Sequence, residues 1–392
     1  MDAWTGRLAH KLLGFLGAIT LLAASQAARA DWRAEKEPGE IRAIWVTRWN
    51  YRTPEDVRAI VRNCAEHHFN VILFQVRGNG TVYYKSRIEP WAWELTGSGP
   101  ETTGKDPGWD PLKLACYEAR KRGVELHAYM NVFPGWRSQD YPPPSAGQLW
   151  TAHPEWFMVD RNGNKMIPRT NWYSFLSPGI PEVQQYVEEV FLEVIKRYRI
   201  QGVHFDYIRY PSEIDDFSYD PVSLARFEQA TGKTPAEATA EWTLWRAEQV
   251  TQVEQAIYRK GKALRPEVIF SAAVVRDPRR GRNRYYQDSE RWLREGTLDV
   301  VIPMLYTNNM EEFRKVTRDF VQLRQEGWAA PGVGIGRAGE QFLQQLEIAR
   351  EMGADGAALF AYNGLFPEHQ PNEKAAELLA GPYREKARVP WD

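Results

Sequence analysis

Runs rich in Val, Ile, Phe and Tyr recur eight times along this chain, each followed by a helical pattern, and no other feature restricts the fold as much. The runs cover residues 42–49, 70–78, 124–132, 202–210, 268–275, 299–307, 331–336 and 356–363. Strands that alternate with helices predict a parallel sheet, because each crossover uses a helix to carry the chain back. Eight such units predict closure into a (β/α)₈ TIM barrel; an open doubly wound sheet is the alternative. A length of 392 residues suits a barrel with long loops.

Local signals agree with this reading. Thr53-Pro54-Glu55 supplies a cap, a first-turn proline and an early acid, and Asp110-Pro111 repeats the device. Gly123 and Gly202 stand just before the third and fourth strands. Two connections are long, 79–110 after the second strand and 133–178 after the third. The latter carries Pro142-Pro143-Pro144 and His153-Pro154-Glu155-Trp156. Both leave the C-terminal ends of strands, the rim where barrel enzymes build their sites.

The N-terminus reads as an export signal. Arg7 and Lys11 precede a short apolar run over 12–24, and Ala28-Arg29-Ala30 supplies a cleavage site. The expected organisation is a cleaved signal at 1–30, a linker at 31–39, the barrel at 40–380 and a tail at 381–392. A periplasmic or secreted protein follows, with membrane contact only through the signal. Cys64 and Cys116 follow helical apolar spacing and read as free, buried thiols. The 50 basic and 51 acidic residues nearly cancel, which argues against bulk-charge steering onto nucleic acid. The 16 Trp and 18 Tyr suit sugar faces and equally suit a core.

Strand residues alternate between two faces, so parity sorts them. The second strand places Gln75 and Arg77 together, opposite Phe74 and Val76. The third groups His127, Tyr129 and Asn131, and the fourth groups His204 and Asp206. The sixth and eighth offer Tyr306 and Tyr362. If this parity faces the barrel interior, these side chains converge on one rim pocket; otherwise they form a buried hydrogen-bonded network. The full set expected at the substrate cleft is Trp45, Arg48, Gln75, Arg77, Asn79, Trp91, Glu94, His127, Tyr129, Asn131, His204, Arg209, Tyr306 and Tyr362.

Asp206 follows Gly202-Val203-His204-Phe205 and precedes Tyr207-Ile208-Arg209-Tyr210-Pro211, which places a carboxyl at the barrel mouth. Glycoside cleavage needs two carboxyls, one to protonate the leaving oxygen and one to attack or to activate water. Asp206 can fill either role. Beside Arg77 or Arg209 it stays ionised and suits the base or nucleophile; in an apolar pocket it suits the acid. Asp277 after the fifth strand is slightly preferred to Glu94, in the aromatic loop, as the second carboxyl. Asp215, Asp216 and Glu155 are weaker choices.

Other motifs carry less. Gly334, Gly336 and Gly339 match G-x-G-x-x-G but lack an acid at the end of the next strand, and read as the loop after strand seven. No G-x-S-x-G elbow is present. No cofactor or metal site is expected, although Asp206, His127 and His204 offer one conceivable ligand set.

Taken together, several stretches resemble the bacterial glycosyl-hydrolase-10-like proteins, relatives of the denuded-peptidoglycan glycan hydrolases. They are Arg42-Ala43-Ile44-Trp45-Val46-Thr47, residues 70–79, Tyr84-Lys85-Ser86, Pro90-Trp91 with Leu95-Thr96-Gly97, and Gly108-Trp109-Asp110-Pro111-Leu112. They continue through His127-Ala128-Tyr129-Met130-Asn131, His153-Pro154-Glu155-Trp156, Ser177-Pro178-Gly179, residues 202–211 and Pro303-Met304-Leu305-Tyr306. The resemblance implies a barrel, an envelope location and a cell-wall glycan substrate such as peptidoglycan strands. Many relatives carry a second acid directly after the strand-four Asp, where this chain has Tyr207. Three activities are therefore weighed: a glycoside hydrolase centred on Asp206, a non-catalytic polysaccharide-binding barrel, and a metal-dependent barrel hydrolase.

Overall fold

The computed structural model describes residues 39–168, 173–211 and 216–392. The expected export signal, most of the linker and Asp215 lie outside the described residues. Eight parallel strands form the barrel: β1 (Ile41–Val46), β2 (Val71–Arg77), β3 (Glu125–Asn131), β4 (Gly202–Asp206), β5 (Ile269–Val274), β6 (Val300–Pro303), β7 (Trp328–Ala329 with Gly332–Gly334) and β8 (Gly356–Phe360). Closure runs through β7. Its first piece pairs with β6, its second pairs with β8, and β8 pairs with β1. The open-sheet alternative is thereby excluded. Pro331 interrupts β7, because a proline cannot donate to the ladder.

Helices follow the strands in turn: α1 (Pro54–Glu66), α2 (Pro111–Arg122), α3 (Pro181–Arg197), α4 (Pro221–Thr231), α5 (Thr239–Leu264), α6 (Ser289–Arg294), α7 (Met310–Leu323), α8 (Phe342–Glu351) and α9 (Glu373–Ala380). The extra helix α4 sits in the connection from β4 to β5. Helices α1, α2 and α4 share one start: a capping Thr53, Asp110 or Asp220 accepts a backbone N–H of the first turn, and proline follows. Such caps each contribute about 1 kcal/mol. Cys64 on α1 and Cys116 on α2 are buried and unpaired, and burial pushes the Cys116 thiol up to about 12.

Alternation along the strands separates two apolar compartments. Ile44, Ile72, Phe74, Ala128, Met130, Val203 and Phe205 face the helices. Ile41, Ala43, Trp45, Leu73, Tyr129, Ile302 and Ala358 fill the barrel lumen. The strands end earlier than the apolar runs suggest, at Val46, Asp206, Pro303 and Phe360, so the residues beyond belong to rim loops. In the loop after β3, Pro134–Trp136 pairs antiparallel with Ser174–Phe175.

The tail closes the floor. Val389 is buried among the lumen residues, and the Trp391 indole donates to Glu125 at 3.1 Å. The Glu40 amide donates to the Arg388 carbonyl, and Arg42 reaches the Glu385 carbonyl. His127 also belongs here. Its Nε2 meets Glu125 at 2.9 Å, its ring lies 6.0 Å from that of Trp391, and it pairs in register with Gly202. A Cβ at position 202 would stand 2.3 Å from His127 Nδ1, so only glycine admits the ring. The tail is thus part of the barrel. Trp391→Ala is expected to destabilise the protein by about 2 kcal/mol, less than a fully buried Trp because Trp391 is only partly buried. A thermal melt unchanged by the substitution would remove the tail from the floor.

Candidate active site

Register fixes the height of each inward side chain. His127 pairs with Gly202 at the floor, Tyr129 with His204 in the middle, and Asn131 with Asp206 at the C-terminal mouth. Successive inward residues rise by about 6.7 Å. His127 is therefore two levels below Asp206, and the expectation that it lines the cleft is corrected: parity gave its face and not its height.

Asp206 is 9% exposed. Tyr129 donates its hydroxyl to Oδ2 at 2.8 Å, and the backbone N–H of Tyr207 donates to Oδ1 at 2.7 Å. The second bond depends on a turn: Tyr207 has φ of 50°, the left-handed region, which is uncommon for an aromatic residue. Burial raises the Asp206 pKa above its ordinary value, against the opposing pull of Arg209 and the two hydrogen bonds. Beneath it, His204 accepts from the Trp45 indole at Nε2 (3.0 Å) and meets Ser271 Oγ at Nδ1 (2.9 Å). An indole N–H only donates, so Nε2 carries the lone pair and Nδ1 the proton. Burial holds the His204 pKa down to about 3, so the ring is neutral. Its ring nitrogens are both engaged, and His127 lies at the floor. Among the described residues, no three His, Cys, Asp or Glu side chains are grouped to hold a metal.

Gln75 and Asn131 stand at the mouth but are committed to backbone. Gln75 accepts the Arg48 amide at 3.0 Å and donates to Asn131, which donates to the Gly78 carbonyl at 2.8 Å. Arg77 does not join them. A bulge between Gln75 and Arg77 brings Arg77 into register with Met130, which faces the helices. There its guanidinium grips both oxygens of Glu89 and the Asn131 and Val132 carbonyls, fully buried. Tyr362 is likewise corrected. β8 ends at Phe360, and the Tyr362 hydroxyl accepts from Asn63 of α1 at 2.8 Å. Phe360 takes the inward place, stacked with Tyr306 at 5.2 Å and set edge-on to Trp45 at 5.8 Å. Reading β8 parity from Ala358 would have found it. Trp91 packs against the helix-facing core.

A continuous set of contacts runs from Asp206 to Glu94. The Tyr207 and Tyr173 rings meet edge to face at 5.2 Å. The Tyr173 hydroxyl accepts from Arg48 at 3.0 Å, and Arg48 Nε lies 3.4 Å from Glu94 Oε1. Glycine at 78 permits this, since a Cβ there would stand 2.6 Å from Arg48 Nη1. Glu94 is 4% exposed, and its Oε2 has no protein partner. It lines a cavity of about 210 Å³ with Asn79, Trp93, Arg137 and Asp140. Trp49, 45% exposed, lies under the guanidinium of Arg137 at 5.1 Å. On the other side, Arg209 lies over the Tyr207 ring at 4.6 Å and borders a cavity of about 560 Å³ with Tyr306, Asp277 and Glu312.

The preference for Asp277 over Glu94 is corrected by these positions. Asp277 is exposed, and its carboxylate caps the short helix Pro278–Arg280 by accepting the Arg280 amide at 3.0 Å. Sequence reasoning missed Tyr173, Phe360, Trp49 and Arg137, on rim loops or strand ends, and Glu312, in the first turn of α7.

The raised Asp206 pKa has a thermodynamic consequence. A carboxyl whose folded pKa lies above its unfolded value resists ionisation in the folded state, so its ionisation favours unfolding as pH rises. Asn cannot ionise. In thermal melts, the stability of Asp206→Asn relative to the parent is expected to increase as pH climbs from below about 4 through the folded pKa. A difference that shrinks over that interval would show that the hydrogen bonds outweigh burial.

The model of the family described as Glycosyl hydrolase-like 10 matches residues 40–328. Glycosyl hydrolase DigH of Escherichia coli K12 is 30% identical over 261 residues, covering 60% of this chain and 54% of that one. Glycosyl hydrolase YngK of Bacillus subtilis 168 is 28% identical over 295 residues, covering 68% and 54%. The chain thus spans about half the length of these curated relatives. Among solved structures, the PgaB (BpsB) glycoside hydrolase domain of Bordetella bronchiseptica aligns with a TM-score of 0.63 at 15% identity, covering 85% of this chain and 97% of that one. The catalytic domain of β-amylase from Paenibacillus polymyxa aligns at 0.62 and 11%, covering 88% and 98%. At these identities the structural likeness concerns the barrel alone. The family match takes in β1 to β6, and with them Asp206, Glu94 and the two long rim loops. On that match, the chain belongs to the glycosyl hydrolase-like 10 family.

Proposed function

We propose that this protein hydrolyses a glycosidic bond in a cell-wall glycan, a peptidoglycan strand or a related amino-sugar polymer, with Asp206 as general acid and Glu94 as the second carboxyl. The observation that carries the reading is a buried carboxyl at the C-terminal mouth of a closed barrel, on a rim that also holds a cavity lined by Arg209 and another lined by Glu94. Barrel enzymes place their chemistry at this face.

The geometry supports the acid role. Burial keeps the proton on Asp206 to higher pH than on an exposed Asp. When the proton passes to the leaving glycosidic oxygen, the Tyr129 hydroxyl and the Tyr207 amide remain aimed at the carboxylate oxygens. Glu94 lines the cavity bordered by Asn79 and Arg137, and Arg48 lies beside its Oε1. It is assigned to the anomeric carbon or to the water that attacks it. Trp49, Tyr306 and Phe360 supply aromatic surface along the rim. Residues 1–30 are read as an export signal, which brings the mature protein to its polymer outside the cytoplasm.

Reducing-end release from purified peptidoglycan, intact and amidase-stripped, tests the reading. Asp206→Asn and Glu94→Gln are each expected to lower kcat by about 10²–10⁴-fold, and chelator is expected to change nothing. An acid must be protonated to act, so activity falls as pH rises through the Asp206 pKa. Arg209 pulls that pKa down, so Arg209→Gln is expected to move the basic limb of the kcat/KM profile to higher pH. Binding to the same glycans without release would leave a non-catalytic polysaccharide-binding barrel.

A further inference from the structure

The loop after β5 is the most basic stretch of the described barrel rim. Arg276, Arg279, Arg280, Arg282 and Arg284 fall within nine positions, against the single acid Asp277, in a chain whose overall net charge is −1. Two of these arginines, Arg276 and Arg280, line the 560 Å³ cavity, where Arg209 and Lys315 join them. Among the described residues that line the cavity, four cations thus stand against two acids, Asp277 and Glu312.

The two acids are already engaged. Glu312 accepts from Thr307 Oγ1 at 2.7 Å and lies 3.1 Å from Arg276, and Asp277 caps its short helix. Lys315, 72% exposed, pairs with Asp319 at 2.5 Å. Ion pairs this open to water are weak and reorganise readily toward a better partner. Arg209 is held differently. It stacks on Tyr207 and Tyr285, and its buried Nε has no protein partner. A forked guanidinium that lines the cavity suits a carboxylate. Tyr306 lines the same cavity and stacks on Phe360, so a sugar ring and its acidic substituent find complementary surfaces side by side.

We propose that this cavity is a specificity subsite for a carboxylate-bearing sugar residue, with Arg276, Arg280, Lys315 and Arg209 as its cationic wall. The inference rests on the glycan-hydrolase reading for its polymer and names the ring substituent that the polymer presents. A neutral or amine-bearing glycan meets the wrong sign of charge here.

The test uses one polymer in two forms: peptide-free peptidoglycan strands with lactyl carboxylates free, and the same strands with those carboxylates capped as methyl amides. Binding to each is measured by sedimentation, and cleavage by reducing-end release. The free-acid form is expected to bind roughly ten- to a hundredfold more tightly, with a preference that weakens as salt rises. The variant carrying Arg276→Gln, Arg280→Gln and Lys315→Gln is expected to lose that preference by a higher KM on free-acid strands, leaving capped strands unchanged. The substituted side chains are surface groups, and a native thermal melt confirms the fold. Equal binding of the two forms, or no binding of either, overturns the subsite. Preferential binding without cleavage leaves the subsite standing and overturns the hydrolase instead.

Discussion

Closure of the sheet through residues 328–334 assigns every strand side chain to one of two compartments, the lumen or the layer beneath the helices. Water is excluded from both, so each polar group sent inward needs a partner or a purpose. Most have partners. His204 is held between Trp45 and Ser271, and Gln75 and Asn131 bind strand ends together. Asp206 differs, because it is buried, hydrogen-bonded and yet at the mouth. Its chemistry is a product of that position: one level lower it would be a core residue, and one turn further along it would be a solvated cap like Asp277.

The two candidate second carboxyls illustrate the same rule. Asp277 follows a strand end, as active-site acids of barrels commonly do, yet its oxygens serve a helix start in water. Glu94 lies far from any strand end in sequence, and the loop folds it under Arg48 and into a cavity. What distinguishes them is how far each is desolvated and what faces it.

The barrel and the face of each regular strand residue were legible, because alternation and repeat number are local properties of the sequence. Tyr129, Asn131, His204 and Asp206 lie on the inner face that parity gave them. Height along the axis was not legible, since it depends on stagger between strands, and His127 is the example. Arg77 was misplaced by one inserted residue, which reverses the face of the strand positions beyond it. Tyr362 was misplaced because the strand stops at Phe360. Tyr173 and Arg137 belong to a loop whose path depends on distant contacts that no local pattern encodes.

The floor of the barrel joins the two ends of the described chain. Arg42 on the first strand reaches the carbonyl of Glu385, 343 positions away, and Trp391 closes over Glu125. A contact of that separation forms only after nearly all of the intervening chain is synthesised, and loop closure over such a distance is slow. The lumen therefore stays wet until its beginning and its end meet. An incomplete chain lacks the partners that close its floor, so completion of the barrel falls to the last residues added.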